Sequence, residues 1–497
     1  MNISMFLQMA AETFPDRIAL VNPDGRHSYG DLYNSAQAAA RLISDSGCEY
    51  VALLDTSSEA VAIALMGAAL AGKPYVPLNY RLTDAELVGL AERITPAFAI
   101  VGEDHLARFP TAGGSKVYAR RAFLDTLRAD TELYENPDID PSAVAVQLFT
   151  SGTTGKPKAA ILRHEHLVSY ILGSVEFMSA EEEEATLVTV PPYHIAGISA
   201  VMSSIYACRR IVQLPDFTPK DWLHLAHSEQ VTNAFVVPTM LSRIIDDLKR
   251  DASLPKPAAM RAIAYGGGKM PVQVVQAALD IFPEVNFTNA YGLTETSSTI
   301  ALLDPDDHRA AYSSDEPHVR KRLGSVGRPL PGVEMEIRDD DGRVCGPNEA
   351  GEVFVRGPQV SGEYLERNAL LADGWFPTRD SGYMDEDGYL FLSGRADDVI
   401  VRGGENISPA EIEDVLLSHS DVLDVAVVAI PSVEWGETVG AAVVLSPGTS
   451  VEAGVLQAMV KNALRSSRVP EKVLFVDALP YNETGKLLRR IVKTYFA

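Results

Sequence analysis

The first three hundred residues alternate short apolar runs with helical patterns, and this alternation leaves few folds open. Residues 50–54 read as a strand and 59–71 as a helix, followed by a strand over 73–78, a helix over 83–92 and a strand over 97–101. Further strands are expected over 185–190, 211–214, 233–237 and 262–265. Such alternation predicts an α/β fold, with parallel sheets covered by helices. From about residue 324 the texture changes. Runs over 334–338 and 351–356 are cut by Asp340-Asp341-Gly342 and Glu386-Asp387-Gly388, which predicts a β-rich subdomain with hairpins. Beyond Ser393-Gly394-Arg395-Ala396-Asp397-Asp398 about 100 residues remain, enough for a small α+β domain. There Ser408 caps an expected helix over 409–419, with Pro409 at its first position. Strands are expected over 425–430 and 441–445, and a helix over 455–466. The expected domains are 1–394, with its β-rich part at 324–394, a linker at 395–398 and a C-terminal domain at 399–497.

Charge and composition exclude several classes of function. The formal net charge is −24, from 43 basic and 67 acidic residues, so a nucleic-acid backbone is not an expected partner. The acidic run Glu181 to Glu184 reads as a solvated face without chemistry. Three scattered cysteines, Cys48, Cys208 and Cys345, support neither a disulfide framework nor a zinc site, and reduced thiols in a cytoplasmic protein are the simplest reading. Residues 1–11 predict an amphipathic helix, not a signal peptide. The longest apolar run, 60–72, is shorter than the roughly 20 residues that span a bilayer.

The segment carrying the most chemistry is Thr150-Ser151-Gly152-Thr153-Thr154-Gly155-Lys156-Pro157-Lys158, directly after the apolar run 144–149. Glycines let backbone amides approach an anion, hydroxyls donate to its oxygens and a lysine offsets its charge. Gly152 and Gly155 are too close for a P-loop, so this is a phosphate loop of another kind or, taken alone, a surface turn. Gly266-Gly267-Gly268 follows an expected strand and needs close backbone approach or positive φ, which a tight structural turn would also explain. Pro191-Pro192-Tyr193-His194-Ile195-Ala196-Gly197 places one imidazole in an apolar run, where an isolated histidine is usually a core residue. Asn289-Ala290-Tyr291-Gly292-Leu293-Thr294-Glu295 offers a ring, a hydroxyl and a carboxylate in seven residues.

Together with Trp375-Phe376-Pro377-Thr378-Arg379-Asp380-Ser381-Gly382, Gly394-Arg395-Ala396-Asp397-Asp398, Arg402-Gly403-Gly404-Glu405-Asn406-Ile407 and Pro480-Tyr481-Asn482-Glu483-Thr484-Gly485-Lys486, these segments stand in a recognisable order. Over nearly its whole length the chain resembles the adenylate-forming superfamily of acyl-CoA synthetases, peptide-synthetase adenylation domains and firefly-type luciferases. The resemblance implies ATP, Mg²⁺ and CoA as cofactors, and a mobile C-terminal domain that pivots at Asp397. It gives the phosphates to Thr150, Ser151, Gly152, Thr153, Thr154 and Lys158, and the nucleotide to Gly266, Gly267, Gly268, Asn289, Ala290, Tyr291 and Gly292. Thr294 would meet the α-phosphate and Glu295 the Mg²⁺, which on a nucleotide needs only one or two carboxylates. Asp380 would accept both ribose hydroxyls, and Arg395 would donate to ribose or phosphate. Lys486 would serve as a point charge that holds the carboxylate against the α-phosphate.

His194, Ile195, Gly197 and Gly268 would line the acyl pocket, and Gly403 and Gly404 would face the CoA arm. No acidic residue occurs from Ile195 to Tyr206, so the expected acid carries no α-amino group. The implied activity is an AMP-forming carboxylate–CoA ligase acting on an aliphatic or aryl acid. Transfer to a carrier-protein phosphopantetheine, activation of another oxyanion, a luciferase-like oxidation and a non-catalytic nucleotide binder remain the alternatives. The family's usual glycine is Arg379 here, which leaves the backbone geometry beside Asp380 open.

Overall fold

The computed structural model describes every residue except Asp24, Ala112, 130–133, 151–156, Ala396, Asp397, Gly404 and 483–486. The chain forms two compact units. The first comprises Met1–Leu323, Pro329–Glu334 and Arg356–Phe376, and the second Gly324–Arg328, Met335–Val355 and Pro377–Ala497.

Two sheets organise the first unit. In one, the strands run in the spatial order Ser298–Leu303, Asn286–Leu293, Ala262–Gly266, Asn233–Val236, Ala185–Val188, Arg210–Gln213, Ile18–Asn22, Gly25–Ser28. Its centre is parallel, and it turns antiparallel at Asn286–Leu293/Ser298–Leu303 and at Ile18–Asn22/Gly25–Ser28. The other runs Arg367–Asn368, Glu363–Tyr364, Lys158–Arg163, Val144–Thr150, Tyr75–Pro77, Tyr50–Leu54, Ala97–Val101, Lys116–Ala119. The apolar run at 60–72 becomes the helix Glu59–Leu70, in which every residue is buried, as all-round hydrophobicity requires. It packs against the helix Tyr29–Ser46, and Gly67 permits the approach: a Cβ there would lie 2.8 Å from that of Ala39. The amphipathic start of the chain is the helix Ser4–Thr13, which buries Phe6, Leu7, Ala10 and Ala11.

The second unit holds a sheet ordered Glu334–Arg338, Gly351–Arg356, Phe376–Met384, Leu390–Arg395. The two expected Asp/Gly turns carry Gly342 and Gly388 at φ 79° and 81°, which suits glycine. A further sheet pairs Val422–Ser432 with Gly436–Leu445. Alternate residues of Val422–Ser432 serve two cores: Val425, Val427 and Ala429 face Ile412, Leu416 and Leu456, whereas Ala426, Val428 and Ile430 pack with Val492.

Strand and helix ends differ from expectation where neighbours decide them. The strand expected over 185–190 stops at Val188, just before Pro191-Pro192, which lack amide donors. Those expected over 425–430 and 441–445 extend into one long hairpin, because pairing continues to Ser432↔Gly436. Ser408 is the N-cap residue, but its hydroxyl donates to the Ser393 carbonyl at 2.6 Å and does not cap the helix. Glu184 corrects the reading of a merely solvated acidic run: it pairs with Arg209 at 3.0 Å and Arg261 at 3.1 Å. The linker expected at 395–398 falls inside the second unit, and Asp397 lies outside the described residues. Among the described residues, no helix is long and apolar enough to cross a membrane.

His164 ties the chain's start to this core, accepting the Ile3 amide on Nδ1 at 3.3 Å while 1% exposed. Burial first, and the nearby amino terminus second, push its pKa down to about 4. The unfolded chain therefore takes up the proton first, at about 6.5, and stability is lost as pH falls from there towards 4. His166 and His308, lowered by burial, act in the same direction. His164→Asn should remove at most about 3 kcal/mol of this acid sensitivity, read from urea midpoints of wild type and variant at pH 7.5 and 4.5. In the second unit Arg489 donates to Glu413 at 2.9 Å and to the Val427 carbonyl at 2.6 Å, beside the buried Glu413 side chain. Arg489→Ala strands that carboxylate and should cost about 3–5 kcal/mol, checked by the same unfolding measurement.

Candidate active site

Two of the motifs singled out from the sequence lie side by side in the first unit. Strand Ala262–Gly266 runs parallel to Asn286–Leu293 with Tyr265 opposite Asn289 and Gly266 opposite Ala290. The glycine is obligatory there, since a Cβ on Gly266 would sit 2.2 Å from the Ala290 carbonyl oxygen. Gly267 follows at φ 82° and, with Gly268, is exposed. The chain turns sharply after Thr294 and Glu295: Ser297 and Ser298 take φ of 58° and 115°, and a Cβ on Gly292 would meet the Ser298 carbonyl at 1.7 Å. Positive φ at a side-chain-bearing residue costs energy and persists only where surroundings enforce it. Here Thr296 Oγ1 donates within the turn to the Ser298 carbonyl at 2.9 Å, and Ser297 Oγ donates to the Gln359 carbonyl at 2.8 Å. The turn fixes Glu295 at the end of the strand carrying Asn289, Ala290 and Tyr291.

A third element reaches Glu295. The amides of Ser361 and Gly362 donate to its carbonyl at 2.9 and 3.1 Å, and the Tyr364 hydroxyl donates to its Oε1. Oε2 has no hydrogen-bond partner among the described residues. Tyr364 also lies 5.7 Å, ring centroid to Nζ, from Lys158. Strands Val144–Thr150 and Lys158–Arg163 are antiparallel with Thr150 opposite Lys158, so both ends of the glycine/threonine loop are placed. Ser151, Gly152, Thr153 and Thr154 lie outside the described residues.

These residues fit a magnesium ion carried by a nucleotide. No cluster of three or more His, Cys, Asp or Glu side chains suited to a metal occurs among the described residues. A phosphate-borne ion needs only a carboxylate or two besides its waters, and Glu295 offers one partly exposed carboxylate, held by a tyrosine whose ring lies 5.7 Å from the Lys158 ammonium.

His194 is the N-cap residue of helix Ile195–Tyr206, its ring 4.5 Å from that of Tyr193. Ile195 packs against the core. The space that a side chain at Gly197 would need belongs to the Pro191 carbonyl, 2.7 Å from an added Cβ, so close backbone packing accounts for this glycine.

The second unit presents Asp380 and Arg395 directly opposite each other across two strands. Arg395 Nε lies 3.0 Å from Asp380 Oδ1 and Arg395 also donates to the Thr378 carbonyl at 3.1 Å, which orients the buried carboxylate. Arg379 takes φ 64°, the conformation that a glycine adopts freely, and its amide donates to Glu352 at 3.1 Å. Gly403, at φ 58°, packs on the Trp435 indole, which lies 2.8 Å from where its Cβ would be. Asp397, Gly404 and Lys486 lie outside the described residues. Sequence reasoning missed Tyr364, Gln359 and Trp435. Their only signal is one aromatic or amide in a Gly-flanked polar run, which many surface loops share.

Comparison with known proteins covers nearly all of this chain. The sequence pattern of the AMP-binding enzyme matches residues 7–365, and that of the AMP-binding enzyme C-terminal domain matches residues 411–486. The 2-succinylbenzoate–CoA ligase of Geobacillus kaustophilus (strain HTA426) is 33% identical over 495 residues, covering 98% of this chain and 97% of that one. The fatty acid–acyl-carrier-protein ligase ScoC of Streptomyces coeruleorubidus is 30% identical over 486 residues, covering 94% and 91%. The o-succinylbenzoate CoA synthetase of Bacillus subtilis, solved with its acyl-adenylate intermediate, matches with TM-score 0.83 at 30% identity, covering 98% of this chain and 97% of that one. The same enzyme solved with ATP and magnesium gives TM-score 0.82 at 30% identity, covering 98% of each.

The positive φ of Arg379 yields a direct test. Its left-handed backbone costs about 1–2 kcal/mol that glycine does not incur. Arg379→Gly should therefore leave stability unchanged or raise it by about 1 kcal/mol, the loss of the 3.8 Å contact to Glu352 being minor at an exposed site. Calorimetric melting of the variant checks this.

Proposed function

The chain belongs to the AMP-binding enzyme family, and from that premise we propose that it is an AMP-forming carboxylate–CoA ligase whose acid is an aryl or aliphatic carboxylate without an α-amino group. The observation that carries the reading is Glu295. It stands at the end of the strand beside the Gly266 turn, with one carboxylate oxygen held by Tyr364. The arrangement sits in a chain that matches a 2-succinylbenzoate–CoA ligase over 98% of its length at 33% identity. An aryl acid bearing a second carboxylate, as in that relative's name, is the first substrate to try.

The reaction has two halves. A carboxylate oxygen attacks the α-phosphorus of ATP, the bond to the β-phosphate breaks, and pyrophosphate leaves with an acyl-adenylate formed. The CoA thiolate then attacks the acyl carbon, and AMP leaves. No protein nucleophile is needed, because the acid is already anionic, so the protein contributes position and charge. Magnesium neutralises phosphate charge when bound, with Glu295 as its protein ligand. Lys158, at the end of the phosphate loop with Thr150, offsets the β- and γ-phosphates, and Thr294 donates to the α-phosphate. Tyr291 and the Gly266–Gly268 turn receive the adenine, and Asp380, oriented by Arg395, accepts the ribose hydroxyls. Lys486 holds the two reacting anions together. Its removal from the first half-reaction, by rotation about Asp397, would let Gly403 and Gly404 admit the CoA arm to the second.

A carrier-protein phosphopantetheine is the second acceptor to consider, because ScoC, a ligase of that kind, is 30% identical over most of this chain. The reacting thiol arm is chemically the same. A cytoplasmic location belongs to the same reading, since ATP and CoA are met there.

Pyrophosphate release with Mg·ATP over a panel of short, long-chain and aryl acids, each with and without CoA, tests the function. Turnover is expected to require both CoA and magnesium and to peak on one acid class. A single burst that CoA does not relieve would identify the carrier protein as acceptor, and silence on all acids would remove the ligase reading. Lys486→Ala should slow adenylation by about 100-fold or more while sparing thioester formation from a supplied acyl-adenylate. Equal loss in both halves would refute its assigned role.

A further inference from the structure

We propose that Tyr364 is a positioning residue for the metal-binding carboxylate, coupling the magnesium site to the lysine of the phosphate loop through one phenol. The proposal rests on the reading of Glu295 as the magnesium ligand and deepens it. Three observations converge on Tyr364. Its hydroxyl donates to Glu295 Oε1. Its ring lies under the Lys158 ammonium at 5.7 Å and beside the Arg367 guanidinium at 6.0 Å. The segment carrying it also holds the backbone of Glu295, through the Ser361 and Gly362 amides.

That segment is itself fixed. Strand Glu363–Tyr364 pairs antiparallel with Lys158–Arg163, with Tyr364 opposite Ala160. Arg163 donates twice to the Glu363 carboxylate, each at 2.8 Å, and Ser361 Oγ donates to the Ile161 carbonyl. The phenol therefore stands on a strand paired with the one that leaves the phosphate loop, and reaches from there to the carboxylate beside the neighbouring sheet. Side chains are free to rotate unless something outside them fixes them. Glu295 has three rotatable bonds, and one hydrogen bond to Oε1 restricts all three while leaving Oε2 for a cation. Hydrogen bonds of this kind, from outside a metal's own ligands, orient the ligand and commonly alter metal affinity by about 10- to 100-fold. The ring contributes separately, since its face attracts the ammonium that meets the phosphates. One residue thus sets the spacing between two charges of opposite sign that must act on one ligand.

Tyr364→Phe deletes the hydroxyl and keeps the ring, and Tyr364→Leu deletes both. Binding of Mn²⁺, as a paramagnetic substitute for magnesium, is titrated by electron spin resonance with the full chain and a non-hydrolysable ATP analogue. Affinity for the analogue without metal is measured by calorimetry. In Tyr364→Phe the Mn²⁺ affinity should fall about tenfold or more, the magnesium concentration for half-maximal adenylation should rise in step, and metal-free nucleotide affinity and melting midpoint should stay at wild type. In Tyr364→Leu metal-free nucleotide affinity should fall as well, by about two- to fivefold. Wild-type Mn²⁺ affinity in Tyr364→Phe, with Glu295→Gln impaired, would overturn the proposal. So would an equal loss in Glu363→Ala, which loosens the same strand without touching Glu295. Wild-type Mn²⁺ affinity in Glu295→Gln would instead overturn the assignment of Glu295 itself.

Discussion

The site in the first unit depends on one short crossing. Residues 361–364 bind the Glu295 carbonyl from two amides and, within the same few residues, bind the Ile161 carbonyl, Arg163 and the strand that leaves the phosphate loop. The two large sheets are thereby joined at the place where their chemistry-bearing segments end. Hydrogen bonds are individually worth only about 1 kcal/mol net, so their role here is geometric. They remove the freedom of a loop that would otherwise present its groups at variable distance from the neighbouring sheet. Catalysis by charge placement tolerates little such freedom, because misplacement by an ångström costs orders of magnitude in rate.

Close backbone approach is the second constraint, and it explains the glycines better than flexibility does. Gly266, Gly292 and Gly197 each face a carbonyl oxygen at a distance no Cβ could share. The first two bring neighbouring strands together where nucleotide groups are expected, and the third sets a helix start against Pro191. Strain follows where the chain leaves this packing, at Ser297 and Ser298, and Gln359 and Thr296 hold the strained turn in place. Arg379 shows the opposite case. It bears positive φ at an exposed position held by a hydrogen bond from its backbone amide to the Glu352 carboxylate and a long ion pair.

Much of this was legible in the sequence. The α/β alternation, the Asp/Gly hairpins at Gly342 and Gly388 and the strand before the glycine turn all depend on local patterns of period two or on turn chemistry, and they fold as the patterns predict. Asn289 to Glu295 was legible as a group because seven adjacent residues carry complementary chemistry. Tyr364 was not, because its meaning lies in a contact to a residue 69 positions away. Nor was the place of Glu184, whose arginine partners Arg209 and Arg261 stand just before later strands. Strand ends were misjudged where a partner's pairing decides them, as in the hairpin that runs to Ser432 and Gly436. Local signals fix local elements, and contacts across the chain fix which side chains become chemistry.

The acidic balance of the chain gives the last step. A net charge of −24 repels a polyphosphate at long range, and screening over about 8–10 Å at physiological salt removes much of that repulsion outside the site. Within the site the field is set by groups a few ångströms away. Lys158 stands at a strand start against the Tyr364 ring, and the Glu295 carboxylate is held by the Tyr364 hydroxyl. A site with several carboxylates would bind a metal without its nucleotide and would oppose the phosphates once they arrived. One carboxylate is too weak a ligand to hold magnesium alone and sufficient to orient the ion that enters with ATP. With Glu295 as the proposed metal ligand, economy in negative charge at this one point would let a strongly acidic protein handle a tetra-anionic substrate, and the orientation of that carboxylate by Tyr364 would matter the more for it.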